Sequence, residues 1–132
     1  MKILSRSLLV SLLLIIAAPA FSATKMSAVQ IYICHFNDDA TAADLFEVTK
    51  KWIKAARNTD GGKNIDVAIR FPIATGSDAK GDFRFVTVFP TFAEMGEFRD
   101  AYEGSKVEEV DLQLNDIADC GNSSVWEGIS TL

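Results

Sequence analysis

The most reactive side chains in this chain of 132 residues belong to Cys34, His35 and Cys120, which are both of its cysteines and its one histidine. Cys34-His35 invites a nucleophile–base reading. Strand geometry opposes it, because the pair sits in the β-prone run Val29–Phe36 (VQIYICHF) and neighbouring strand side chains point to opposite faces. His35 is read instead as a structural or solvent-edge residue. With a single histidine no multi-histidine metal site can be built, and neither metal nor cofactor is expected. The sequence contains no nucleophile elbow, P-loop, zinc motif, dinucleotide fingerprint or C-x-x-C. Ser77–Asp82 only faintly resembles a calcium loop, since Lys80 stands at a ligand position and no closing glutamate follows. The two cysteines leave a disulfide, free thiols or redox chemistry open, and the compartment bears on the choice.

Residues 1–22 read as a secretory signal peptide. Lys2 and Arg6 make a positive start, Leu8–Ala18 an apolar run, and Ala20-Phe21-Ser22 a small-residue exit with cleavage expected after Ser22. Cleavage after Ala18-Pro19-Ala20 is the second choice. An uncleaved anchor is the alternative, for which the run is short against the ~20 residues of a membrane span. Loss of the leader leaves 11 of 13 basic residues against 18 acidic ones, a net charge of −7 over the 110 residues 23–132. That length suits a single domain with a real core. An acidic exported domain repels phosphate backbones and anionic lipid heads, so neither nucleic acid nor a membrane surface is an expected partner. Lys50, Lys51, Lys54 and Arg57 read as the solvated, dipole-complementing end of a helix.

The elements that must position these residues follow from periodicity. After the first strand, Thr41-Ala-Ala-Asp44 resembles a capping box and opens a helix over Ala42–Arg57, with Leu45, Val48, Trp52 and Ala56 at helical spacing. Gly61-Gly62 ends the turn beyond it. Ile65–Phe71 alternates as a half-buried strand, and Phe83–Phe89 is a third strand. Thr91 caps a second helix whose stripe is Phe92, Met95, Phe98 and Tyr102. Ser105 caps a third with Val107, Val110, Leu114 and Ile117, and these stripes are read as core. The stretch from Cys120 to Ser124 is expected to break the chain before a last strand over Ser124–Ser130. Asn122-Ser-Ser is formally a glycosylation sequon and is given little weight.

The predicted fold class is α+β: a ferredoxin-like βαββααβ order giving a four-stranded antiparallel sheet with the helices on one face. The first strand is expected to be central, flanked by the third strand in parallel orientation and by the last in antiparallel orientation. At this point the chain resembles the dimeric α+β barrel superfamily, which includes cofactor-free monooxygenases of antibiotic biosynthesis and stress-responsive barrel proteins. The stretch Cys34…Lys51-Trp52…Pro72…Phe89-Pro90…Met95-Gly96…Cys120 is also similar to secreted proteins of marine bacteria that carry such modules. The resemblance covers about residues 28–130, its motifs are structural, and it implies a homodimer without implying an activity.

In such a fold Cys34 and Cys120 face one another across neighbouring strands, and a disulfide between them is expected in an exported chain. The register that pairs 34 with 120 also pairs 32 with 122 and 30 with 124. Val29, Ile31 and Ile33, with Ile65, Val67, Ile69 and Phe71, are expected to take the helices. The other face then carries Gln30, Tyr32, Cys34 and Phe36, joined by Asp66, Arg70, Arg84, Val86, Val88 and Trp126. Tyr32, Arg70, Arg84 and Trp126 are therefore the expected ligand-binding or dimer face, since aromatics beside arginines suit interfaces and small-ligand sites.

Function narrows to three readings: a non-catalytic exported dimeric domain that holds a small apolar molecule, a cofactor-independent oxygenase or isomerase using the same cavity, and a structural or interaction module. A sizeable cavity holding a polar group of displaced pKa would discriminate among them.

Overall fold

In the computed structural model residues 25–74 and 81–130 are described. The expected leader at 1–22 and most of the rejected calcium loop lie outside the described residues.

Caps and apolar spacing account for the three helices among the described residues. Helix α1 (Ala42–Ala56) begins where Thr41 and Asp44 close a capping box. The Asp44 amide donates to Thr41 Oγ1 at 3.3 Å and the Thr41 amide to Asp44 Oδ2 at 3.0 Å. The Thr41 hydroxyl also donates to Asp44 Oδ2 at 2.6 Å, and this bond, with that from the Thr41 amide, holds the Asp44 carboxyl below its ordinary pKa. Helices α2 (Phe92–Asp100) and α3 (Lys106–Ile117) start at Thr91 and Ser105, whose side chains accept from the Glu94 and Glu108 amides. Between α1 and the second strand the chain turns at Gly61, where φ is +72°. A Cβ there would lie 2.2 Å from the Glu94 carbonyl oxygen, so the glycine lets this turn lie directly against α2.

The strands are β1 (Lys25–Phe36), β2 (Asp66–Arg70), β3 (Phe83–Phe89) and β4 (Ala118–Ser130), in sheet order β2-β3-β1-β4. Every neighbouring pair is antiparallel. This is the ferredoxin-like arrangement, with one correction: β3 runs antiparallel to β1. The cause is topological. Helix α1 carries the chain back so that β2 runs parallel to β1, and β3, reversing from β2, inserts between them.

β4 also begins earlier than expected, at Ala118 directly after α3, and no break separates Cys120 from Ser124. The irregularity foreseen there is absorbed as a bulge. His35 pairs with Asp119, whereas Ile33 pairs with Asn122, Gln30 with Val125 and Val29 with Trp126. The expected register holds only on the cysteine side of that bulge. On the other side it is displaced by one residue, which reverses the facing of each later β4 side chain.

Registers and burial identify the helix-bearing face. On β1 it carries Ala28, Gln30, Tyr32, Cys34 and Phe36, aligned through β3 with Phe83, Phe85, Thr87 and Phe89 and through β2 with Val67 and Ile69. Ala28 and Cys34 are fully buried, and Tyr32 and Phe36 pack against the core formed by Leu45, Trp52, Phe85, Phe98, Val107 and Leu114. The expectation that Val29, Ile31 and Ile33 would take the helices is therefore inverted. β1 is central and apolar on both faces, so alternation reveals the phase of its side chains but not which phase the helices cover. Among the described residues no helix is long and apolar enough to cross a membrane.

Candidate functional site

Between the sheet and the helices lies a cavity of about 310 Å³. β1 supplies Gln30 and Tyr32; β3 supplies Phe85, Thr87 and Phe89; β4 supplies Cys120. Trp52 enters from α1, Phe98 and Arg99 from α2, and Asp111, Leu114 and Asn115 from α3, with Tyr102 just beyond α2. The aromatic rings form a continuous wall. Trp52 meets Phe85 edge-on at 5.5 Å between centroids and Phe98 at 6.0 Å; Phe98 in turn touches Phe89 at 5.3 Å and Tyr102 at 6.4 Å. Tyr32 closes the wall against Phe85 at 6.5 Å.

One carboxylate is built into this aromatic wall. Asp111 Oδ1 accepts from Trp52 Nε1 at 3.0 Å and Oδ2 accepts from the Tyr102 hydroxyl at 2.7 Å. Near the rim Arg99 Nη2 donates to Gln30 Oε1 at 3.1 Å. Burial, the hydrogen bond to Asp111 and its charge together push the Tyr102 pKa well above the ordinary tyrosine value. Burial and then the Asp111 charge raise Tyr32 too, while Arg99 and a bond from Gln30 act the other way. Both phenols therefore stay protonated at neutral pH, as donors rather than bases.

The residues singled out from sequence divide between the two sheet faces. Arg70 pairs with Arg84 and Arg84 with Ile33, while Trp126 pairs with Val29, so Arg70, Arg84 and Trp126 lie together on the face away from the helices. Val86, Val88 and Ala68 share it, and the Trp126 side of this face is exposed. Tyr32 is separated from them: it faces the helices and lines the cavity. Trp126 reaches the open face through two offsetting departures from expectation, the inverted phase of β1 and the one-residue displacement in β4.

Cys34 and Cys120 are joined by a disulfide, with Cα atoms 4.1 Å apart. Cys120 also lines the cavity, so the cross-link forms part of its wall. His35 lies on the other face of β1, largely exposed, with Nδ1 3.9 Å from Asp82 Oδ2. It does not line the cavity with Cys34's partner, which agrees with the strand argument against a nucleophile–base pair. Among the described residues no group of three or more His, Cys, Asp or Glu side chains is placed to hold a metal ion.

Sequence reasoning missed the polar part of the cavity. Trp52, Phe98 and Tyr102 were read as core, and Asp111 was passed over. A signal was present: Asp111 stands four residues after Val107 and three before Leu114, which puts an acid on the inward stripe of α3.

The fold and site together define a ferredoxin-like α+β chain with an aromatic, carboxylate-bearing cavity beneath its helices. Among solved structures the chain is similar to a dimeric ferredoxin-like protein of unknown function from Thermobifida fusca, at 12% identity over 80% of this chain and 92% of that one, with a TM-score of 0.48. It is similar to SnoaB, a cofactor-independent oxygenase from Streptomyces nogalater, at 12% identity over 83% and 96% of the two chains and a TM-score of 0.46. A dimeric ferredoxin-like protein of unknown function from Bacteroides fragilis gives 7% identity over 80% and 97%, with a TM-score of 0.43. No family model and no curated protein matches the sequence.

Proposed function

We propose that this is an exported, non-catalytic domain that holds a small, largely apolar molecule between its helices and its sheet, and that pairs with a second copy through the open sheet face. The observation that carries the ligand reading is the aromatic cavity of about 310 Å³, which is within the range of small-ligand sites. The displaced pKa values in the cavity belong to its two tyrosines and move away from neutrality, so neither phenol is tuned to act as a base there. Pairing is favoured by exposed Trp126 on that face, beside half-buried Val29, Ile31 and Val88. The disulfide suits an oxidising compartment.

The binding test uses the neutral dye N-phenyl-1-naphthylamine, whose emission rises in an apolar site. Saturable binding is expected, and Asn115→Trp, which fills the cavity rim from an exposed helix position, should abolish it. No saturable binding by the wild type, or binding unaffected by Asn115→Trp, would refute the ligand reading.

A second reading, a cofactor-independent oxygenase or isomerase, is favoured by the 2.7 Å bond from Tyr102 to Asp111, a path along which a proton could pass to or from a bound substrate. Oxygen uptake with a hydroquinone, lost in Tyr102→Phe, would support that reading over the first.

A further inference from the structure

Asp111 is a carboxylate that the protein places among aromatic rings without giving it a cation. Its two neighbours, Trp52 Nε1 and the Tyr102 hydroxyl, are neutral donors. None of the ion pairs among the described residues involves it. A carboxylate has about four acceptor positions, and each Asp111 oxygen takes one side-chain bond here, so acceptor capacity remains on both. A partly buried anion with only neutral partners is costly to maintain, and that cost falls when a cation joins it.

Resting on the ligand-binding reading above, we propose that the cavity takes an organic cation: a primary or quaternary ammonium group on a small apolar or aromatic body, with Asp111 as counter-charge. The rings of Trp52, Phe98, Tyr102 and Tyr32 supply the faces on which ammonium groups rest. Among the described residues Arg99 is the one cationic side chain lining the cavity; it is exposed and bonds Gln30 near the rim. Beside the Tyr32 hydroxyl the charge of Asp111 counts for more than that of Arg99. The acidic balance of the whole chain, 18 acids against 13 bases, favours approach by cations.

The experiment displaces N-phenyl-1-naphthylamine with three probes of matched body: benzyltrimethylammonium, benzyl alcohol and phenylmethanesulfonate. On wild type the cation should displace the dye at about one-tenth the concentration the alcohol needs, and the sulfonate should be weakest. In Asp111→Asn the dye should still bind, while the advantage of the cation over the alcohol falls below about threefold. A cation no better than the alcohol on wild type would overturn the proposal, as would an undiminished advantage in Asp111→Asn. A sulfonate that outcompetes both would assign the head group to Arg99 and overturn it equally. Should Asp111→Asn fail to fold, the order of the three probes on wild type still decides. A dye that never binds wild type defeats the ligand reading itself, and this proposal with it.

Discussion

Removal of the Cys34–Cys120 cross-link should cost this domain a large part of its stability. The bridged residues are 86 apart in sequence, so the disulfide ties together most of the described chain. For a loop of that length the chain-entropy model gives a restriction of the unfolded ensemble of about 4.6 kcal/mol at 25 °C, with measured effects usually smaller. Against a total stability of about 5–15 kcal/mol, that is a substantial share. Reduction separates the cross-link from packing, because both sulfurs stay in place. The double variant Cys34→Ala, Cys120→Ala adds the loss of a fully buried sulfur at Cys34, on the order of 1 kcal/mol more. Urea unfolding followed by circular dichroism, with and without reductant, should show the midpoint falling in the reduced form by roughly 1.5–3 M for a slope of ~1.5 kcal/mol/M. The melting temperature should drop by about 10–20 °C at roughly 4 °C per kcal/mol. A reduced protein less than about 1 kcal/mol below the oxidised one would refute the loop-entropy reasoning.

Both of the chain's tyrosines have raised pKa values, so absorbance at 295 nm should show no phenolate forming with the ordinary midpoint in the native protein, while the urea-unfolded chain titrates near pH 10. The linked stability is fully present below pH ~10 and declines as pH rises from there toward the folded-state values. A native tyrosine with an ordinary midpoint would contradict the cavity's electrostatics. Trp126→Arg should weaken self-association by about 2 kcal/mol, roughly thirtyfold, leaving far-ultraviolet circular dichroism unchanged; a wild type that stays monomeric in light scattering at high concentration ends the pairing proposal. Gly61→Ala should destabilise by about 2–4 kcal/mol, combining a positive φ with a Cβ 2.2 Å from the Glu94 carbonyl, and thermal melts that match wild type would refute that packing. N-terminal sequencing of the exported protein should begin near Ala23, and a retained Met1 would refute cleavage.

Periodicity and punctuation made the element order legible. Phe83–Phe89, a β-prone run apolar on both faces, begins and ends where it was expected to, and Thr41, Thr91 and Ser105 all act as caps. These are local features, fixed by side chains within four residues of each other. Non-local features were less accessible. Ile31 and Tyr32 are both large and apolar enough for a core, and which of them meets Trp52 depends on packing that no window of sequence contains. The bulge beside Cys120 follows from the fit of two distant strands. The cavity emerges only when α1, α2 and α3 bring Trp52, Tyr102 and Asp111 to one place. Of the cavity lining, Tyr32 alone was singled out as a ligand-face residue, and for the opposite face. The paired cysteines were legible because two thiols in an α+β chain with this strand order, expected to be exported, leave few partners for either.

The extra residue that β4 carries beside the disulfide lets one strand send Cys120 inward and Trp126 outward, although both positions are even-numbered. Side chains alternate along a strand, so with Cys120 opposite Cys34 an unbroken pairing would set Trp126 opposite Ala28 on the helix-bearing face, whereas the bulge sets it opposite Val29. An in-frame loss of Gly121 would remove the extra residue and leave Val125 opposite Gln30 and Trp126 opposite Val29, facing as they do now. The cross-link would hold the strand's beginning in place through the change. Relatives lacking that one residue would thus keep both the fold and its outer surface, and the accessibility of Trp126 to acrylamide quenching should be the same with and without Gly121.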